Sequence, residues 1–196
     1  MTSPGDPPPS RPSSFDEWVE AFREQASFFT GVRLSEGPPR WPLSDVLPVL
    51  PVVGAGVGLA AGLVFAIVRG IAGSGWLAAV LAVGMAILIT RALHEDGLAD
   101  TADGLGPHGL AAERRLEIMR DSRNGTFGVL AIALTVLIKV ACLAQFSGST
   151  GFAVLIAAHA LSRAVIAYPL LAFSPVRPDG LGVQAGKPTD NDVWLA

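Results

Sequence analysis

Cysteine is nearly absent from this 196-residue sequence: Cys142 stands alone, which excludes a disulfide scaffold and any cysteine-based zinc site. Charge is scarce as well. Only 16% of residues are Asp, Glu, Lys or Arg, against about 25% in soluble domains. No basic surplus exists either, since the formal net charge is −3, and a nucleic-acid binder is excluded on that ground. What fills the space is apolar. Hydrophobic residues reach 51% before any of the 22 glycines is counted, and soluble domains reach about 45–50% with glycine included. Such a composition has its natural home in a bilayer.

Four stretches approach the roughly 20 apolar residues that a transmembrane helix needs. They run over residues 48–68, 71–93, 127–146 and 150–173. The first two are separated by little more than Arg69-Gly70 and the last two by Ser147-Gly148-Ser149, so each pair reads as a helical hairpin. A large soluble helical core would carry polar faces, and these stretches hardly do. The expected fold is therefore all-α, a polytopic membrane helical bundle with about four spans. Residues 14–196 form a single membrane-embedded domain, with a loop at 94–126 between the second and third spans. Arginine and lysine outside the spans set the orientation. Arg11, Arg23, Arg33 and Arg40 precede the first span; Arg91, Arg114, Arg115, Arg120 and Arg123 lie in or beside the central loop; Arg177 and Lys187 follow the fourth. The opposite side has Arg69. Both termini and the central loop are expected on the cytoplasmic side of the cell membrane.

Residues 1–13 hold five prolines and no apolar run, which predicts disorder rather than a signal peptide. Ser14 with Glu17 then makes a capping box. Phe15, Trp18, Val19, Phe22, Ala26 and Phe29 follow at helical spacing. That stripe suits a short interfacial helix whose aromatic face lies in lipid or against the spans; docking on a soluble partner is the alternative.

The chemistry is concentrated in the central loop, where residues 94–106 read HEDGLADTADGLG. Asp96, Asp100 and Asp103 fall at i, i+4 and i+7, within about 60° of one another on a helix. Glu95 sits beside that face. No Lys or Arg lies between Arg91 and Arg114, and like charges at i, i+4 destabilise a helix. A bound cation resolves the conflict. An all-carboxylate donor set points to a hard ion such as Mg²⁺ or Mn²⁺, and Mg²⁺ typically holds substrate phosphates too. The expected ligands are Glu95, Asp96, Asp100 and Asp103. The bland alternative is a solvated acidic face, which glycines at 97, 104 and 106 argue against. Beyond an amphipathic stretch at 111–120, the segment Arg120-Asp121-Ser122-Arg123-Asn124-Gly125-Thr126-Phe127-Gly128 opens the third span. Arginine forks and exposed N–H groups at a helix start suit phosphate, so Arg120, Ser122, Arg123 and Thr126 are candidate substrate-binding residues. The same composition also fits an ordinary basic loop–span boundary. Deep in the third and fourth spans lie Lys139 and Arg163, with His159 one turn before the arginine. Ionisable groups at that depth are costly and face a cavity or an anionic partner. The aspartates or a bound phosphate would serve, although Lys139 could also snorkel to the interface.

The sequences HEDGLADTADGLG, ERRLEIMRDSRNGTFG and LSRAVIAYPLLAFSPVRPDGLG together resemble the cobalamin synthase family (adenosylcobinamide-GDP ribazoletransferase). LPVLPVVGAGVG at the first span is similar to that family's opening. The match runs from about Phe22 to Gly182. The resemblance implies a multi-pass membrane enzyme that needs Mg²⁺ and completes the nucleotide loop of vitamin B12. Such an enzyme joins adenosylcobinamide-GDP to α-ribazole, or its 5′-phosphate, and releases GMP. Asp96, Asp100 and Asp103 would then carry the metal, the arginine-rich segment would cradle phosphates, and Asp121 or one of the aspartates would take the acceptor's proton. Partners implied are those substrates and a lipid bilayer, not nucleic acid; a homo-oligomer is left open. Family members usually continue with more hydrophobic helix where this chain ends in GKPTDNDVWLA. A fragment, a frameshifted reading frame and a shortened enzyme are the three explanations. Two rivals differ in class. A CDP-alcohol-type phosphotransferase shares the layout, but Asp100 is not followed by the arginine its motif expects. A cation channel or transporter subunit predicts acidic residues deep in the spans, where this chain has positive ones.

Overall fold

A computed structural model describes residues 11–121, 123–178 and 180–189. The expected disorder at 1–13 therefore falls mostly outside the described residues. Among the described residues all regular secondary structure is helical: α1 (Phe15–Phe29), a 3-10 turn (Leu43–Asp45), α2 (Val49–Ala72), α3 (Gly75–Ile89), α4 (Leu93–Leu105), α5 (Ala112–Ile118), α6 (Thr126–Leu143), α7 (Gly148–Ala164), α8 (Ala167–Ala172) and α9 (Leu181–Gln184). The all-α membrane bundle is what the sequence predicts. Three helical runs are long and apolar enough to cross a membrane: α2, α6, and α7 with α8.

The second expected span is shorter than the apolar run suggests. Helix α3 ends at Ile89 and has 15 residues. A helix of that length reaches roughly 22 Å, short of the ~30 Å hydrocarbon core. It qualifies as a span only together with α4, from which it is bent by 88°. The corner has a local cause. The Thr90 hydroxyl donates back to the Ala86 carbonyl at 2.9 Å. Arg91 and Ala92 both take left-handed backbone, with φ of 52° and 57°, which ends right-handed helix. The hairpin turns also sit elsewhere than predicted. Helix α2 runs straight through Arg69-Gly70, and the turn falls on Gly73. The φ of Gly73 is 67°, a value that favours glycine. The Arg69 guanidinium donates to the Gly73 carbonyl. Helix α7 starts at Gly148, with the Ser147 hydroxyl accepting from the Thr150 N–H at 3.2 Å. Its continuation breaks before α8 because Pro169 has no N–H for the Val165 carbonyl; Tyr168 donates there instead at 3.1 Å.

The described chain forms two compact units, residues 1–58 with 156–196, and residues 59–155. In the first, the capping box forms as predicted: Ser14 accepts from the Glu17 N–H at 3.2 Å, and Glu17 accepts from the Ser14 N–H at 3.3 Å. The apolar stripe of α1 turns towards protein. Ala21, Ala26 and Phe29 are buried with Trp41, Leu47, Leu50 and Val53, and Trp18 and Phe22 pack against that cluster. Of the settings expected for this helix, docking on the spans is the one observed; within the stripe only its first residue, Phe15, at 81% exposure, is left outward. In the second unit, α6 packs against both α3 and α4, and α5 packs against α4. Most of the apolar surface of α6 is exposed, as Leu130, Leu134, Leu137 and Ile138 illustrate, a distribution suited to a lipid-facing helix.

Candidate active site

The aspartate-bearing segment is helical, as its spacing predicts, and forms α4. Glu95 and Asp96 occupy its first turn, where negative charge is favoured by the helix dipole. Burial then increases along the acidic face: Asp96 is exposed, Asp100 half-buried and Asp103 buried. Desolvation, followed by the charges of Asp96 and Asp103, pushes the Asp100 carboxyl above its ordinary value. The like-charge conflict inferred from spacing is therefore present in the folded chain.

Asp103 shows how α4 is fixed. Its Oδ2 accepts from the Gly125 N–H at 2.7 Å and its Oδ1 from the Gly128 N–H at 2.8 Å. Both donors belong to the start of α6, which has Gly125 at its N-cap position and no side-chain cap of its own. A carboxylate from a distant helix thus satisfies two N–H groups that any helix start leaves open. The glycines around it are explained by close approach. A Cβ on Gly104 would meet the Met119 side chain, and one on Gly106 the Phe127 ring. Gly97 has open space around it, so packing gives no reason for it.

Residues 120, 121 and 123–126 adjoin this junction in sequence. Asp121 and Arg123 form a forked pair, with Arg123 Nε 3.1 Å from Asp121 Oδ1 and Nη2 2.7 Å from Oδ2. Those side-chain hydrogen bonds, with the Arg123 backbone N–H, hold the Asp121 carboxyl down at about 2. A carboxylate that weakly basic is a poor proton acceptor near neutrality, which weighs against the role expected for Asp121. Ser122 lies outside the described residues. Arg120 is exposed on the turn, and Thr126 is the exposed first residue of α6.

Lys139 does not stand free for substrate. Its Nζ lies 3.4 Å from Glu95 Oε1, with the carboxylate side chain 12% exposed and the lysine 50% exposed. The pair ties α6 to the first turn of α4 and commits both a predicted phosphate ligand and a predicted metal ligand to each other. Arg163 belongs to the other unit. It is buried, with Nη1 3.1 Å from His159 Nδ1 and 2.8 Å from Ser162 Oγ.

Among the described residues no three His, Cys, Asp or Glu side chains converge as a metal cage. Of the four expected ligands, Asp103 accepts from two backbone N–H groups and Glu95 pairs with Lys139, while Asp96 and Asp100 lie near each other as like charges. That pair still fits Mg²⁺, which usually takes one or two carboxylates and completes its shell with water and substrate phosphates. The residues that sequence reasoning missed are Gly125 and Gly128 as partners of Asp103. Their only signal is a span that opens on glycine.

Comparison with known proteins gives this arrangement a family. The model of the family described as cobalamin-5-phosphate synthase matches residues 21–196. A protein of Bradyrhizobium diazoefficiens named adenosylcobinamide-GDP ribazoletransferase is 47% identical over 181 residues, covering 91% of this chain and 69% of that protein. One of the same name from Allorhizobium ampelinum is 45% identical over 150 residues, covering 74% of this chain and 57% of its own length. A third, from Azorhizobium caulinodans, is 42% identical and is covered over 56% of its length. The chain thus spans little more than half the length of several relatives it matches. No solved structure matches it. The family match over nearly the whole chain, together with the aspartate helix and the turn that opens α6, places the chain in the cobalamin-5-phosphate synthase family.

Proposed function

We propose that this chain joins adenosylcobinamide-GDP to α-ribazole, or to its 5′-phosphate, with release of GMP, in a Mg²⁺-dependent step at the cytoplasmic face of a membrane. The observation that carries the reading is the acidic face of α4 joined to the start of α6, in a chain whose relatives bear the name of that transferase. In this reaction the acceptor hydroxyl attacks the phosphorus joined to the cobinamide side. One P–O bond forms, the pyrophosphate bridge breaks, and the bridging oxygen leaves with GMP.

Asp96 and Asp100 are the side chains that would hold Mg²⁺. When bound, the ion neutralises charge on the pyrophosphate and on the leaving phosphate. Arg120, Arg123 and Thr126, on the turn that opens α6, would bind phosphate oxygens by charge-assisted and hydroxyl hydrogen bonds. The acceptor's proton goes to a carboxylate of α4 rather than to Asp121, whose carboxyl is held at about 2. The arginine-rich central loop and flanks, against Arg69 on the other side, support a cytoplasmic site.

The test is a mass-spectrometric assay on membranes carrying this chain. Adenosylcobinamide-GDP and α-ribazole are supplied with Mg²⁺ or with EDTA. Adenosylcobalamin and GMP formed in equal amounts, and only with the metal, are the expected result. Well-inserted protein that yields neither would refute the assignment for this chain.

A further inference from the structure

We propose that Gly125 and Gly128 are positioning residues: through Asp103 they seat the start of α6, and with it residues 123–126, on the aspartate helix. What is positioned rests on the function proposed above; the clamp itself rests on geometry. The two N–H groups reach Asp103 across 22 and 25 residues of intervening chain, so the contact locks two separate elements together. The carboxylate is buried at 8% exposure. Its charge meets two N–H donors at the positive end of α6, the favoured place for an anion. A Cβ on either glycine would collide with the Asp103 carboxylate. A Cβ on Gly125 would lie 2.6 Å from Asp103 Oδ1, and its three nearest atoms all belong to Asp103. A Cβ on Gly128 would lie 2.4 Å from Asp103 Oδ2 and 3.1 Å from Ala99. Any side chain at either position pushes the carboxylate off its donors, and the turn shifts with the helix start that follows it.

The experiment compares wild type with Gly125→Ala, Asp103→Ala and the double variant, all solubilised in detergent from membranes. Thermal unfolding reads the clamp, and calorimetric binding of GDP in the presence of Mg²⁺ reads the positioning, independently of turnover. If the glycine acts through the carboxylate, Gly125→Ala lowers the unfolding midpoint in the wild-type background and has little further effect once Asp103→Ala has removed the obstructing atoms. At matched folded fraction, Gly125→Ala should weaken GDP binding about tenfold and lower turnover about 10- to 100-fold, the scale of a misplacement near ~1 Å. A purely structural role lowers the amount of folded protein and leaves GDP affinity unchanged. Additive effects on the midpoint overturn the clamp. Coupled midpoints with unaltered GDP affinity overturn the positioning role. If wild type fails to turn over adenosylcobinamide-GDP while both coupling and weakened GDP binding persist, the reaction assignment fails and the positioning stands.

Discussion

Within the first unit, α2 passes α7 at Gly54, where only a hydrogen atom separates two backbones. A Cβ added there would stand 2.2 Å from the His159 carbonyl oxygen, 2.8 Å from its carbon and 3.1 Å from Ala160 Cα. Carbon contacts become comfortable at about 3.5 Å, so Gly54→Ala requires a displacement of about 1 Å, and no flexible side chain is present to absorb it. Overpacking of this kind costs about 1–3 kcal/mol. Alanine also gains about 1 kcal/mol over glycine as a helix former, and Gly56→Ala removes that term from the comparison. Gly56 lies on the same helix with nothing within 4 Å of its added Cβ. Gly54→Ala should therefore be less stable than Gly56→Ala by about 1–3 kcal/mol, the steric cost alone. Unfolding of the two variants in the same detergent, followed by circular dichroism, measures the difference. Equal stabilities would refute close backbone approach as the reason for Gly54. Since His159 lies one turn before Arg163 and contacts it at 3.1 Å, the displaced turn should carry that pair with it.

Three further outcomes can be measured. Asp100→Asn removes one of the two carboxylates left for Mg²⁺ and should lower metal-dependent turnover by about 100-fold or more, on the scale of a lost charge-stabilising group, with membrane insertion intact by protease protection; wild-type rates would remove the metal site. Lys139→Met should destabilise by about 0.5–1 kcal/mol, the range for a half-exposed ion pair, and the loss should vanish in a Glu95→Gln background; an equal loss in both backgrounds would show that the pair contributes nothing. The Asp121 carboxyl is lowered by Arg123 from 3.8 to about 2, so its favourable interaction is present above the unfolded value and is lost as pH falls through about 2. Asp121→Asn should accordingly leave the shape of the pH–rate profile unchanged around neutrality, and loss of the acidic limb in that variant would restore Asp121 as the proton acceptor.

The fold was legible wherever one physical pattern dominated. Three apolar runs became helices long and apolar enough to cross a membrane, because burying or lipid-facing such surface outweighs every local preference. The capping box at Ser14 and the aspartate spacing of α4 were equally direct, since each depends on a few neighbouring residues. The failures lie at corners. Apolar composition continues through Leu93, yet α3 stops at Ile89 because of a hydroxyl back-bond and two left-handed residues, features that hydropathy does not encode. Likewise Arg69-Gly70 reads as a turn, but an arginine can reach forward to the Gly73 carbonyl from inside a helix, which lets the helix run on to the glycine that actually needs positive φ.

The candidate site was legible as a set of residues and not as a set of pairs. Charge and spacing single out Glu95, Asp103, Asp121, Arg123 and Lys139, and sequence reasoning gives each the same class of work, acting on a ligand. In the folded chain those five bind one another or the backbone: Glu95 with Lys139, Asp121 with Arg123, and Asp103 with Gly125 and Gly128. For Glu95 and Asp103, the least exposed of these groups, the physical reason is desolvation. A charged group taken out of water is costly unless compensated. Permanent partners therefore fall to the deeper groups. The shallower members of the acidic face, exposed Asp96 and half-buried Asp100, keep the unrelieved like-charge pressure that raises the Asp100 carboxyl. An unrelieved pair of hard oxygen donors beside a clamped helix start is the part of the arrangement that folding alone does not explain, and a divalent cation with its phosphate is what would relieve it.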